Sequence, residues 1–399
     1  MKVTTTICSL GLVLMFGSAL TAQPRNLPPP TTTCNGSTLA VWGSQYRFDA
    51  CHTGFNPFEV VLTPANVGNL VLEWVSRVGP ILDSSPAVAN GMVYVGSHDG
   101  NLYAVSAATG ALAWKYPTGA SIFSSPSVAN GVVYLFSNPY LYALDAATGA
   151  LIWEYPVDNG GDSSPAVANG SVYFGDSFGN VYALSAGTGA LNWKFETGAF
   201  VENSPAVSNG TLYVGSANGY FYALDAGTGA LLWKSIDFGP VGFPAPAVAN
   251  GVVYLSSGNG NLYAVDAGTG SLLWQYNGGY SAPAVAKGIV YVGSVDPQNP
   301  GLYALDAGTG TLLWKYPTTG AFISGPTVAN GVVYFGSGDG NVQALDASTG
   351  ALLWKSPAGD TSSSPAVADG VVYVGSVGGF DPNGYLYAFH LPGQVTRPR

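Results

Sequence analysis

The sequence predicts an all-β fold, an eight-bladed β-propeller of four-stranded antiparallel blades, on three observations. Eight of the nine tryptophans (Trp74, Trp114, Trp153, Trp193, Trp233, Trp274, Trp314 and Trp354) recur at intervals of 39 to 41 residues, the period of an array built from one supersecondary unit. Each interval holds four short apolar runs divided by turn signals. Finally, the two ends of the array are complementary. Eight third runs occur, the last being Tyr385-Leu386-Tyr387-Ala388-Phe389, but only seven are followed by a Thr-Gly…Trp run. The missing fourth run stands at the other end, as Leu70-Val71-Leu72-Glu73-Trp74. An orphan strand at the start and a matching gap at the end predict ring closure.

From the N terminus, residues 1–22 read as an export signal. Lys2 gives a positive start, Ile7 to Phe16 are mostly apolar, and Leu20-Thr21-Ala22 ends on the small residue a signal peptidase prefers. The apolar run is too short for a permanent membrane anchor. Cys8 lies at its front rather than at the cleavage point, so no lipidated cysteine is expected. The reading is a secreted or periplasmic protein, cleaved near Ala22, unanchored and monomeric. Residues 23–69 form an N-terminal segment, residues 70–391 the propeller and residues 392–399 a tail.

Cleavage leaves Cys34 and Cys51, which in an exported chain are expected to form a disulfide worth about 3 kcal/mol. The histidines, His52, His98 and His390, are scattered. With no zinc spacing and no CxxCH sequence, no metal or haem site is assigned. A net charge of −10 and only 9% charged residues, without a basic run, argue against nucleic acid and anionic membrane as partners.

In the first unit the four runs are Ser84-Ser85-Pro86-Ala87-Val88, Met92-Val93-Tyr94-Val95, Leu102-Tyr103-Ala104-Val105 and Ala111-Leu112-Ala113-Trp114-Lys115-Tyr116. They are rich in Val, Tyr and Leu and too short for helices. The breaks Ala89-Asn90-Gly91, Asp99-Gly100-Asn101 and Ala108-Thr109-Gly110 supply the positive φ of tight hairpins. Runs such as Val252-Val253-Tyr254-Leu255, apolar on both faces, suit sheets sandwiched between neighbouring sheets. The fourth run differs, because Lys115, Lys194, Lys234, Lys315 and Lys355 directly follow its Trp, as suits an outer edge guarded by charge. The recurrent Asp145, Asp225, Asp266, Asp306 and Asp346 read as caps of the third-to-fourth turn, and the tryptophans as packing between blades. Gly336-Ser337-Gly338-Asp339-Gly340 has no helix behind it and reads as a hairpin, not a phosphate loop.

Candidate binding residues come from what does not repeat. The Ala-Asn-Gly and Thr-Gly turns share one end of every blade and barely change, whereas the second-to-third turns and the blade-to-blade connections share the other end and vary. Three positions before the inner Pro stand Asp83, Phe123, Asp162, Glu202, Phe243, Tyr280, Ile323 and Ser362. One position later stand Ser84, Ser124, Ser163, Asn203, Pro244, Ser281, Ser324 and Ser363. Strand alternation turns one of these rings toward the central channel. The candidate rim is therefore Asp83, Phe123, Asp162, Glu202, Asn203, Phe243, Tyr280 and Ser324, able to take a cation, a sugar or a partner's basic side chain. The longer connections Val295 to Gly301 and Val377 to Gly384 project from the same end.

The unit Ser-Ser-Pro-Ala-Val-Ala-Asn-Gly…Val-Tyr-Val-Gly-Ser…Asp-Gly-Asn-Leu-Tyr-Ala-Leu-Asp-Ala…Thr-Gly-Ala-Leu-Leu-Trp-Lys resembles the repeat of the pyrroloquinoline-quinone (PQQ)-type propellers over residues 70–391. Trp42, Arg47, Asn56-Pro57 and Leu62 to Leu70 resemble the start of the quinoprotein dehydrogenases. The resemblance implies one of two classes: PQQ-dependent dehydrogenases of alcohols or sugars, or non-catalytic propellers such as the lipoprotein of the outer-membrane β-barrel assembly machine. The first class implies PQQ with a calcium held by carboxylate and amide oxygens, an Asp base and flat groups around the quinone. Many of its members also carry adjacent cysteines, which Cys34 and Cys51 are not, and blade insertions that this chain lacks. No catalytic residue is assigned. The expectation is an exported binding or scaffolding propeller that takes a protein partner or small ligand at its variable end.

Overall fold

The computed structural model describes residues 31–34, 37–40, 48–81, 83–158, 160–239, 244–294, 296, 298–320, 324–359, 361, 363–377 and 384–393. The chain is an eight-bladed propeller. Blade 1 is built from the strands Ala87–Ala89, Met92–Gly96, Asn101–Ser106 and Leu112–Pro117, paired in that order. The next six blades repeat this antiparallel meander. At the first hairpin, Asn90 and Gly91 both take positive φ (51° and 72°), the geometry a two-residue turn needs to match strand twist. Blade 8 combines Ala366–Ala368, Val371–Val377 and Gly384–His390 with the N-terminal strand Val71–Arg77, through pairs such as Tyr387 with Val75 and Ala388 with Trp74. The ring closes as the strand count requires. Among the described residues the only helical piece is the single turn Val67–Asn69.

Adjacent blades are joined by a repeated polar joint inside an apolar interface. The Ala146 carbonyl of blade 2 accepts both the Tyr94 hydroxyl (2.9 Å) and the Trp114 indole N–H (3.1 Å) of blade 1. The same two-donor joint falls on Ala186, Ala226, Ala267, Ala307 and Ala347, and on Ala107 across the junction of blades 8 and 1. A buried hydroxyl or indole left unpaired would carry a desolvation penalty, so each joint lets a large aromatic be buried without one. The Thr-Gly turn is part of the same joint. Gly110 takes φ +67°, and a Cβ there would come within 2.6 Å of the Trp74 ring. The glycine of one blade and the tryptophan of the preceding blade are therefore one packing unit, which explains their shared period. The turn aspartates cap as expected: Asp145 accepts from the Thr148 backbone N–H and hydroxyl at 2.8 and 2.7 Å, and these bonds hold its pKa below the usual carboxylate value. On the outer strands, the Lys115, Lys194, Lys234 and Lys315 ammonium groups lie over tyrosine rings of the adjoining third strands.

The closing seam breaks the pattern. Blade 8 borrows its fourth strand and lacks the turn that carries the accepting alanine. Trp354 donates instead to Leu70 O, at 3.0 Å. Tyr334, which should share that joint, is fully buried with no partner for its hydroxyl.

The N-terminal segment does something that its sequence does not announce. From Ala50 to Asn56 it runs along the inner strands, offering one backbone carbonyl per blade: Ala50 O to Val207 N, Cys51 O to Val248 N, Thr53 O to Val285 N and Gly54 O to Val328 N, at 2.6 to 2.9 Å. Phe55–Asn56 then pairs in parallel with Thr327–Ala329, adding a fifth strand to blade 7. The innermost strand of a meander has a partner on one side only, and these carbonyls satisfy its inward amides. Buried Glu59 completes the attachment, accepting from Val61 N, Leu62 N and Gly370 N. Gly370 belongs to the first hairpin of blade 8, so this anchorage lies at the invariant-turn end. Cys51 is fully buried, its Sγ 3.3 Å from Val207 O. Residues 1–22, Trp42, Arg47, Phe243 and the side chain of Cys34 lie outside the described residues, as do 394–399 and much of the connection after Val377.

Candidate functional site

The structure separates the two rings of candidate residues. The later ring turns into the blades: Ser84 Oγ accepts from Gly96 N (2.9 Å), Ser281 Oγ from Gly293 N (2.8 Å) and Ser324 Oγ from Gly336 N (2.8 Å). These serines tie the innermost strand to its neighbour and are buried. Ser324 is thus placed in blade packing and not at the mouth. Asn203 occupies the same buried position in blade 4. Its backbone carbonyl accepts from Ser163 Oγ at 3.2 Å, and its Oδ1 has no partner.

The earlier ring faces the mouth. Asp83, Phe123 and Asp162 are exposed, and Glu202 and Tyr280 half-buried. Four of these five residues converge with one residue that the sequence reading passed over. His98, in the second-to-third turn of blade 1, places Nε2 3.5 Å from Asp83 Oδ2 and lays its ring 4.5 Å from that of Phe123 in blade 2. Asp162 of blade 3 lies within electrostatic reach of Glu202, Asp83 and His98. Partial shielding from water, then the charges of Glu202 and Asp83, raise the Asp162 pKa above the ordinary carboxylate value, while His98 opposes them. Ser177, in the second-to-third turn of blade 3, donates to Glu202 Oε1 at 3.4 Å. His98 was legible in principle, since it sits at the variable end in a turn position that no other blade fills with histidine. Tyr280, in blade 6, is held by its backbone N–H on Gly293 O, and no described contact joins it to the cluster.

Blade 8 and blades 1 to 4 also share a hydroxyl belt one residue deeper. Ser364 N donates to Ser85 Oγ, Ser85 N to Ser125 Oγ, Ser125 N to Ser164 Oγ and Ser164 N to Ser204 Oγ, at 2.8 to 2.9 Å. Blades 5 to 7 carry Ala245, Ala282 and Gly325 there and cannot continue it. The carboxylate cluster therefore stands on a belt that links the same blades sideways.

A quinone held on calcium needs several oxygen ligands on one ion and flat walls for the ring. Among the described residues no three His, Cys, Asp or Glu side chains come close enough to share a metal ion. The eight repeat tryptophans stand at blade interfaces, with their indole N–H groups bound to carbonyls. No chemical step is derived through such a site. The arrangement can hold a positively charged or polyhydroxylated group between three carboxylates, with the Phe123 and His98 rings as a wall. Among the described residues no helix is long and apolar enough to cross a membrane.

In sequence, residues 65–140, 137–279 and 277–388 match a family model described as Outer membrane protein assembly factor BamB. No curated protein matches the chain. Solved structures similar in fold include the following three. The quinohemoprotein alcohol dehydrogenase ADHIIG of Pseudomonas putida HK5 gives a TM-score of 0.76 at 19% identity, over 90% of this chain and 82% of that one. BamB from Moraxella catarrhalis gives 0.67 at 21%, over 82% and 98%. A europium-containing methanol dehydrogenase gives 0.75 at 17%, over 87% and 98%.

Proposed function

The chain belongs to the PQQ-like propeller-repeat family whose model is described as Outer membrane protein assembly factor BamB, and on that premise we propose that it is an exported, non-catalytic binding or protein-interaction scaffold. The observation that carries this reading is the convergence of Asp83, Asp162 and Glu202, with His98 and Phe123, at the mouth of blades 1 to 4. Repeated residues serve the blade joints and turns, and the non-repeated polar groups gather at one end. That end is opposite the Glu59 anchorage. A partner's basic side chain would meet acceptors there. Export is supported by the character of residues 1–22.

Two measurements test the reading. Replacing Asp83, Asp162 and Glu202 together by Ala should abolish capture of a partner co-purified with the wild type while leaving the melting temperature no lower; equal capture by the triple variant moves the site elsewhere. The rival reading is a PQQ-dependent dehydrogenase. Calorimetric titration with PQQ and calcium, followed by a dye-reduction assay on alcohols and aldoses, decides between them. Binding in the micromolar range or tighter, with turnover, overturns the scaffold reading.

The proposed disulfide between Cys34 and Cys51 is supported by the complete burial of Cys51 against the inner strands, where a bond to it would pin the N-terminal segment to the ring. Mass spectrometry of the non-reduced, exported protein should find the two peptides linked; two alkylatable thiols would show otherwise.

A further inference from the structure

Blade 3 departs from its seven companions at one corner, and the departures face a single cavity. The residue that follows the second strand is serine in seven blades (Ser97, Ser137, Ser216, Ser257, Ser294, Ser337 and Ser376) and aspartate only in blade 3, as Asp176. Two residues on, blades 1, 4, 5 and 7 carry a polar turn residue: Asp99, Asn218, Asn259 and Asp339. Where its contacts are clearest, that residue serves the third-strand tyrosine: the Tyr103 hydroxyl donates to Asp99 Oδ2 at 2.6 Å, and Asn218 and Asn259 Nδ2 donate to the hydroxyls of Tyr222 and Tyr263. In blade 3 the task has moved. Buried Asp176 accepts the Tyr182 hydroxyl at 2.9 Å, together with Asn180 Nδ2, Asn180 N and Phe178 N at 2.7 to 2.9 Å. The turn position is thereby released from structural duty, and it holds a phenylalanine that is 64% exposed. A large aromatic at a hairpin tip, with its fold role taken over by another residue, calls for a reason other than stability.

Phe178 lines an open-sided cavity of about 260 Å³ together with Asp176, Asn180, Tyr182, Lys194, Glu196 and, from the blade 2 connection, Asp158. Glu196 stands where blades 1, 2, 6 and 7 carry proline (Pro117, Pro156, Pro317 and Pro357) and blades 4, 5 and 8 carry Ile236, Asn277 and Arg77, so it is the one carboxylate at that position. Lys194 makes no ion pair with either carboxylate among the described residues; its ammonium lies 5.4 Å over the Tyr182 ring. The wall therefore offers two unpaired carboxylates, which only accept, and one ammonium, which only donates. Asp176 is fully used by its four hydrogen bonds and adds no free acceptor. The volume lies below the roughly 300–1,000 Å³ of sites for drug-sized ligands, and so suits a compact ligand.

We infer that this cavity is a saccharide-binding subsite, in which one sugar ring rests its C–H face on Phe178 and exchanges hydrogen bonds through its hydroxyls with Asp158, Glu196 and Lys194. A sugar hydroxyl both donates and accepts, so one ring uses both kinds of wall group, and its apolar face needs a flat apolar partner. An ammonium or guanidinium ligand would use the carboxylates and the ring but would face Lys194. The subsite is separate from the carboxylate cluster at the mouth, although Ser177 of the same turn touches Glu202. It stands or falls independently of the scaffold reading.

The test is saturation-transfer NMR and calorimetry on the whole protein with the methyl glycosides of glucose, galactose, mannose and N-acetylglucosamine, and with arginine amide as the cationic rival. At least one glycoside should bind. Phe178→Ala, a change at an exposed tip, should leave the melting temperature unchanged and weaken that binding about tenfold. Asp158→Asn with Glu196→Gln should weaken it comparably, and the triple alanine variant of the mouth should bind like the wild type. The inference is overturned if no glycoside binds, if binding survives Phe178→Ala, or if arginine amide binds at this corner in place of the sugars.

Discussion

Asp162 shows how a single residue carries a signal that its fold does not need. Its pKa is raised, first by partial shielding and then by Glu202 and Asp83, so the folded state favours its protonated form. A raised folded pKa contributes stability that is fully present below the ordinary carboxylate pKa and is lost as pH rises through the folded value. Asp162→Asn should therefore raise the melting temperature at about pH 7 and leave it unchanged near pH 3. A calorimetric pH series checks both halves, and a loss of stability at neutral pH would show that the carboxylate supports the fold. The five turn aspartates have the opposite sign. Hydrogen bonds from the following Thr or Ser hold their pKa values down, so their contribution fades as pH falls through those values. Phe178 makes the complementary point. In sequence it is one aromatic among many, and only its exposure and the displaced Asp176–Tyr182 bond mark it out.

At the scale of elements, the blade joint can be tested against its own exception. Tyr291 donates to Ala347 O at 3.0 Å, whereas Tyr334 in the equivalent place at the seam has nothing to donate to. Removing a satisfied hydroxyl forfeits its bond and leaves an acceptor short, while removing an orphaned one relieves a desolvation penalty. Tyr291→Phe should destabilise by about 1 kcal/mol and Tyr334→Phe should be neutral or stabilising, by up to ~1–3 kcal/mol. Denaturant titration of the two variants reads the difference, and equal losses would mean that the Tyr334 hydroxyl is satisfied in solution. The turns and strands themselves were legible in the sequence, because Asn-Gly in six blades, Thr-Gly in seven and the Val-Tyr run in seven state the same local preference again and again. The fifth strand of blade 7 was not. Phe55–Asn56 is two residues long, has no period, and is made a strand only by the unpaired inner edge it meets.

For the whole molecule, closure rests on the N-terminal strand Val71–Arg77, which covers Gly384–His390. Removing every residue before Val75 takes away the half of that strand around Trp74, and the segment from Ala50 to Asn56 with it. The third strand of blade 8 would then present Leu386, Ala388 and Phe389 along an open edge, a template for pairing with other chains. The truncated protein should aggregate, as read by light scattering and gel filtration. A monodisperse product with the wild-type melting temperature would refute closure by this strand.

By itself the sequence determined the number of blades, the order and hand-over of their strands and the turn chemistry, because each is a local preference repeated at a constant period, and it determined the seam because the one missing and the one orphan run stand out against that period. It also singled out the variable end, since residues that depart from the repeat stand out against it. What only the tertiary structure decided was which departures meet. Asp83, His98, Phe123, Asp162 and Glu202 lie on four different blades, and Asp158 reaches the corner of Glu196 and Phe178 from the blade before. The path of Ala50 to Asn56 along the inner strands belongs to the same class. Periodicity records how each unit folds on itself, but convergence between units depends on the curvature of the ring and on which strand edges remain unpaired, and neither is encoded within a single repeat.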